Sequence, residues 1–129
     1  MATDEMAASP DAASAEAVVQ RQLDAYNAHD LDAWLATYDT HASQHELHGN
    51  VLARGHAEIR ARSAPRFGEP NLFARLLKRI VMGNVVVDHE EITRTFAEGP
   101  GTIEAVCVYK VGHGVIQHAT FAFGAPLLR

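Results

Sequence analysis

The chain has 129 residues, of which 47% are hydrophobic, and a formal net charge of −5 at pH 7. A chain of this length forms one domain around one hydrophobic core and leaves no room for a second. The negative charge repels phosphate backbones and no cluster of Lys and Arg offsets it, which argues against a nucleic-acid partner.

The amino-terminal segment, residues 1–14, is rich in Ala, Ser and Asp and predicts a disordered tail, because it cannot bury enough apolar surface to offset the entropy of ordering. The single domain is therefore expected to span residues 15–129. A first helix follows from residue 15, where Val19, Leu23 and Tyr26 recur at helical spacing and predict one buried face.

A second, short helix is predicted after Asp30, whose side chain suits an N-cap. The bulky residues that follow have helical spacing, and they are Leu31, Trp34, Leu35 and Tyr38. They predict an aromatic stripe that faces the core.

Less regular segments come next: a short strand is expected over 42–48 and a third helix over 56–64. In residues 72–82 the apolar positions recur every four residues, and periodicity alone favours a helix. Three clearer strands, 85–96, 102–111 and 115–123, are separated by glycine-rich turns and predict a meander.

Cysteine content and hydropathy bear on the cellular compartment. The single cysteine, Cys107, lies in an apolar run and indicates a buried thiol in a reducing environment. No segment has the roughly 20 apolar residues of a membrane span, and no signal-peptide pattern opens the chain. We therefore expect a cytoplasmic protein with no membrane partner.

Four short motifs carry a resemblance to a known family. They are AYNAHDL at 25–31, Tyr38, GHAEIR at 55–60 and GVIQ at 114–117. Together with the element order they resemble the nuclear transport factor 2-like superfamily, which includes ketosteroid isomerase, SnoaL-like cyclases and scytalone dehydratase.

The resemblance implies an α+β fold: a cone-shaped barrel in which three N-terminal helices pack on a bent antiparallel sheet. It implies that residues 72–82 form a strand, that the cone holds an apolar pocket without a cofactor, and that the open sheet face forms a homodimer.

The resemblance also implies a general base. Counting from Asp30 and Gly55, Glu46 falls where isomerase-like members carry their catalytic carboxylate. A carboxyl group in an apolar cone has a raised pKa and suits proton transfer between carbons. The alternative is that Glu46 lies at the pocket rim, solvated or paired with Arg54 or Arg60.

The donors that stabilise an enolate in the isomerase are not matched, because their positions are occupied by Gln22 and by Cys107 or Val106. A dehydratase-like alternative pairs His48 with Tyr38 and Glu46 as acid and base. A cyclase-like alternative would use Glu104 or His118.

The remaining candidates are residues that could line the pocket, namely Tyr26, Trp34, Arg60, Phe121 and Phe123. The eight histidines show no metal-ligand spacing, so no metal site is predicted. The acidic patch of Asp88, Glu90 and Glu91 either flanks the pocket or keeps the sheet edge solvated, and solvation is the commoner role.

The sequence thus predicts a SnoaL-like pocket protein for an apolar, oxygenated ligand such as a steroid or polyketide. The leading hypothesis is a cofactor-independent isomerase with Glu46 as base. The alternative is a non-catalytic ligand-binding or dimerisation module of the same fold.

Overall fold

The computed structural model describes the backbone of residues 10–129 and the side chains of residues 15–129. The helices are α1 (Pro10–Asn27), α2 (Leu31–Ala36) and α3 (Gly55–Phe67). The strands are β1 (Tyr38–Glu46), β2 (Val51–Arg54), β3 (Phe73–Met82), β4 (Val85–Phe96), β5 (Gly99–Gly112), β6 (Val115–Phe123) and β7 (Leu127–Leu128). The short strands β2 and β7 were not predicted.

Helix α1 begins earlier than expected. It already includes Pro10, the first residue that the structure describes. Residues 10–14 of the predicted tail are therefore helical, and residues 1–9 lie outside the described part of the chain. The predicted face is buried: Val19, Leu23 and Tyr26 are at most 7% exposed.

Helix α2 is capped as predicted. The Ala33 N–H group donates to Asp30 Oδ1 at 3.0 Å, which satisfies one of the free amides of the first turn. Trp34 and Leu35 face the core. The helix ends at Ala36, and Tyr38, predicted to lie on it, is instead the first residue of β1.

The strands form one curled, unclosed sheet in the order β2-β1-β6-β5-β4-β3, with β7 paired to β5. Strand β1 pairs with β6 in parallel, whereas the other pairings are antiparallel. Helix α1 packs across β3 to β6, and α3 packs on β1 and β2. This architecture confirms the predicted α+β fold, with one parallel pair in an otherwise antiparallel sheet.

Residues 73–82 form a strand. The family resemblance implied this strand, whereas periodicity alone favoured a helix. The pairing with β4 shifts between Leu76 and Lys78, so Leu77 is an extra residue in β3. Ala74 and Leu76 face the helices before this bulge, and Arg79 and Val81 do so after it. Because of the extra residue, Leu76 and Arg79 face the same side of the strand although they are three positions apart. A spacing of three or four residues is also what a helix shows.

The helix-facing side of β4 carries two buried acids. Asp88 is fully buried and accepts two hydrogen bonds from Arg79, from Nε at 2.7 Å and from Nη2 at 2.9 Å. Arg79 Nη1 also donates to Gln20 of α1 at 2.8 Å. Asp88 and Glu90 are therefore not part of a solvated patch, and the hydrogen bond from Arg79 to Gln20 ties α1 to the sheet.

Candidate functional site

A cavity opens between the helices and the sheet. The cavity and the solvent-filled mouth in front of it together comprise about 460 Å³ that no protein atom occupies. Its lining residues are Gln22, Leu23, Tyr26, Trp34, Tyr38, Gln44, Arg62, Arg66, Ala74, Glu90, Ile92, Cys107, Tyr109, Phe121 and Phe123. The lining is mostly apolar with a few polar groups, which is typical of small-molecule sites.

Glu90 is the carboxyl group of this cavity. Alternation along β4 turns it inward with Val86 and Ile92, and it is only 4% exposed. Cys107 Sγ lies 3.9 Å from Glu90 Oε1, and Oε2 has no hydrogen-bond partner among the described residues. Burial, together with the charge of Asp88, raises the pKa of Glu90 to about 7.

Three tyrosine hydroxyls lie around the cavity, and burial raises the pKa of each, that of Tyr26 to about 12. Tyr38 Oη is buried beside the Gln44 amide, yet makes no hydrogen bond of normal geometry with any described residue. A neutral phenol is a hydrogen-bond donor. Tyr38 can therefore donate to a ligand oxygen.

Helix α3 supplies the cationic wall. Arg62 Nη1 donates to Gln44 Oε1 at 2.9 Å, and its guanidinium lies 5.8 Å from the centroid of the Phe121 ring. Burial and the neighbouring charge of Arg66 lower the pKa of Arg62. Both arginines stand beside the face of α3 that buries Ile59 and Phe67.

Five of the predicted site residues are brought together here: Tyr26, Trp34, Tyr38, Phe121 and Phe123. The Trp34 and Tyr38 rings are 4.9 Å apart, and Trp34 Nε1 donates to Gln22 Oε1 at 2.9 Å. Phe123, 47% exposed, lies at the rim. These five side chains therefore lie in the lining of one cavity.

Glu46, His48 and Arg60 do not line the cavity. Glu46 ends β1 beside Phe121, half-buried, and accepts a hydrogen bond from Asn50 Nδ2 at 3.0 Å. His48 is exposed in the turn that follows. The inward position on β1 is occupied two residues earlier by Gln44, and Glu46 lies outside the lining.

Arg60 points away from the cavity and pairs with Asp32 on the surface. The two residues of the cyclase-like alternative also lie outside the lining. Glu104 accepts a hydrogen bond from His89 at 2.7 Å, and His118 stacks on His45 at 4.3 Å. None of these three side chains can reach a molecule in the cavity.

Sequence reasoning gave Glu90 only as part of an acidic patch that either flanks the pocket or is solvated, and it did not name Arg62 or Arg66. The alternation of β4 was a usable signal for Glu90, since Val86, Asp88, Glu90 and Ile92 share one face of the strand. The arginines gave no signal, because only the packing of α3 decides which of its cations face inward.

Among the side chains of residues 15–129, no three His, Cys, Asp or Glu groups converge as metal ligands would. None of the described helices combines the length and hydrophobicity that crossing a membrane requires.

Comparison with known proteins finds one family and many related structures. The model of the SnoaL-like domain family matches residues 19–119. A cystatin-fold protein from Novosphingobium aromaticivorans has 23% identity and a TM-score of 0.75, over 84% of this chain and 97% of its own. No curated protein matches the chain.

Two further solved structures have names that suggest an activity. A proposed SnoaL-like polyketide cyclase from Jannaschia sp. has 19% identity and a TM-score of 0.74, over 89% of this chain and 88% of its own. A proposed ketosteroid isomerase from Kribbella flavida has 13% identity and a TM-score of 0.73, over 89% of this chain and 81% of its own. At these identities the likeness is one of fold.

Proposed function

The chain belongs to the SnoaL-like family, within the nuclear transport factor 2-like superfamily, and on that premise we propose that it catalyses proton transfer on a small, apolar, oxygen-bearing molecule without a cofactor. The observation that carries this proposal is the buried Glu90 carboxyl, which lines a largely apolar cavity and whose Oε2 has no hydrogen-bond partner among the described residues.

Glu90 would act as the general base. With a pKa of about 7 it is partly ionised at neutral pH and can both accept and return a proton. Its carboxylate would remove a proton from a carbon next to a ligand carbonyl, giving an enolate. The same carboxyl would then protonate that enolate, at the original carbon or at another one.

Tyr38 would stabilise the enolate oxygen. Its buried hydroxyl has no partner among the described residues, and its raised pKa keeps the proton on the phenol. Donors aimed at the oxygen where charge develops are usually the largest contribution to such catalysis. In this proposal Tyr38 donates to the enolate instead of acting with His48 as the sequence suggested, and Glu90 takes the place of Glu46.

The proposal is tested by hydrogen–deuterium exchange. We expect the protein to exchange the protons next to the carbonyl of cyclohexanone or 4-phenyl-2-butanone in D₂O, with a rate that rises as Glu90 ionises around pH 7. Glu90→Gln should reduce the rate about a hundredfold or more, because the base is removed. Mass spectrometry of the ketone measures the exchange.

Two other acids provide the comparison. Glu104→Gln changes an exposed carboxylate outside the cavity and should leave the exchange rate as it is. Loss of exchange in Glu46→Gln, with exchange retained in Glu90→Gln, would return the role of base to Glu46. Ligand binding without any exchange would leave the protein as a non-catalytic carrier of the same fold.

We also propose that two copies associate through the outer face of the sheet. A groove on this face is lined by Lys78, Ile80, Val87, His89 and Val106. Ile80 is 56% exposed and Val106 39%, although both are apolar. This face carries apolar side chains, the basic residues Lys78 and His89, and the Glu104 carboxylate that His89 contacts. A two-fold pairing can therefore bring basic groups of one copy close to the carboxylate of the other.

Disruption of this face should change the mass in solution. We expect the native protein to have twice the mass of one chain by light scattering after gel filtration. Ile80→Glu should shift it to a monomer, since a charge would be buried at the interface. The control is Leu47→Glu, at an apolar residue 61% exposed in a distant turn. A native monomer would contradict the proposal.

A further inference from the structure

Two arginines of the cavity wall have no ion-pair partner among the described residues. Arg62 bonds only to the neutral Gln44 amide, and Arg66 Nε is buried without any hydrogen-bond partner among the described residues. Neither forms an ion pair within residues 15–129. They stand one helical turn apart, so both can face the same bound group.

Other partly buried arginines of this chain are paired. Arg79 binds Asp88 through two hydrogen bonds, and Arg94 binds Glu69 in the same way, at 2.9 and 2.8 Å. A charge withdrawn from water is costly unless it has a partner. The two cations at the cavity are thus an exception, and they lie where a ligand would bind.

The cavity itself does not neutralise this charge. Glu90 is the only carboxyl group among the described lining residues, and burial raises its pKa so that its neutral form is populated at neutral pH. The cavity therefore has a net positive charge on the α3 side and apolar aromatic walls elsewhere. A ligand that matches both features is an apolar molecule with one anionic end.

We propose that the cavity binds an apolar oxo acid, whose carboxylate is held by Arg62 and Arg66. A guanidinium presents paired N–H donors that match the two oxygens of a carboxylate. The hydrocarbon part would pack on Trp34 and Phe121. The ketone would then lie between the arginines and Glu90; this last placement rests on the proposed function, whereas recognition of the carboxylate does not.

The experiment compares two probes that differ only in the anionic group, 4-phenyl-2-oxobutanoate and 4-phenyl-2-butanone. Trp34 is the only tryptophan of the chain and lines the cavity, so its fluorescence reports occupancy. We expect the acid to bind about tenfold to a hundredfold more tightly than the ketone, as charge-assisted hydrogen bonds imply.

Variants on one helix separate recognition from general effects of charge. Arg66→Gln should weaken binding of the acid to the level of the ketone and leave binding of the ketone unchanged. Arg60→Gln removes the same charge from an exposed position of α3 and should leave both affinities unchanged. Arg66→Lys, which keeps the charge and loses the paired donors, should retain part of the preference.

Equal binding of acid and ketone by the native protein would overturn the inference, and this comparison needs no variant to fold. An equal loss of both affinities in Arg66→Gln would also overturn it. The proposed function fails separately: tight binding of the acid without exchange of its protons would keep the carboxylate site and remove Glu90 as base. Exchange of the ketone without any preference for the acid would keep Glu90 as base and remove the carboxylate site.

Discussion

Replacement of Glu90 by glutamine is expected to stabilise the protein at alkaline pH while it abolishes proton exchange. The pKa of Glu90 is about 7 in the folded protein, against 4.5 for an ordinary glutamate. Between these values the folded protein holds a proton that the unfolded chain releases. Stability from neutral Glu90 is therefore complete below pH 4.5 and is lost as the pH rises through 7.

The expected size follows from that pKa difference. From pH 5 to pH 8 the free energy of unfolding of the native protein should fall by about 2–3 kcal/mol relative to that of Glu90→Gln. Urea unfolding at a series of pH values measures both proteins. The difference isolates Glu90, because every other titrating group is common to the two chains.

An opposite or flat pH dependence would contradict the burial of an ionisable Glu90. The control Glu104→Gln should follow the native protein over the whole range, since Glu104 is exposed and bound only to His89. If the prediction holds, the site is maintained at a cost in stability, which is common for catalytic groups in apolar surroundings.

The second large effect concerns the ion pair under α1. Arg79→Met should lower the free energy of unfolding by about 3–5 kcal/mol, because it leaves the Asp88 carboxylate buried without its partner. Asp88 has no exposed surface, and the Arg79 side chain is 9% exposed. The loss should appear as a lower midpoint in urea with little change in slope.

A matched control lies on the same strand. Arg75 pairs with Glu91, but its side chain is 60% exposed, so Arg75→Met should cost no more than about 1 kcal/mol. The double variant Arg79→Met, Asp88→Leu should recover much of the lost stability, since no charge is then left without a partner. Equal losses in Arg79→Met and Arg75→Met would contradict the assigned burial.

The sequence predicted most of the fold because most elements obey simple local rules. Asp30 caps α2, and the glycine-rich turns separate β4, β5 and β6 near the expected positions. Periodicity failed in β3, where the bulge at Leu77 breaks alternation, and only the family resemblance indicated a strand. A local irregularity of this kind depends on the partner strand, so the pattern of one segment cannot show it.

The site was predicted in part. Its aromatic lining, including Trp34 and Phe121, follows from apolar spacing on α2 and β6. The base was sought on β1 by counting residues, whereas the carboxyl inside the cavity comes from β4. Glu90 looked like a surface acid because three acids stand close together in the sequence. Their burial differs because alternation sends Glu90 inward and Glu91 outward.

The position of β1 in the sheet has a consequence for how the chain folds. Strands β3 to β6 follow one another as hairpins, with contacts between residues close in sequence, whereas β1 pairs Tyr38 with Ile116. Local hairpins form faster than pairings that close long loops. The meander is thus expected to form first, and β1 docks last, after β6 has left the ribosome. Until then Trp34 and Tyr38, synthesised early, have no sheet to cover them, and we expect the nascent chain to be prone to aggregation at this stage.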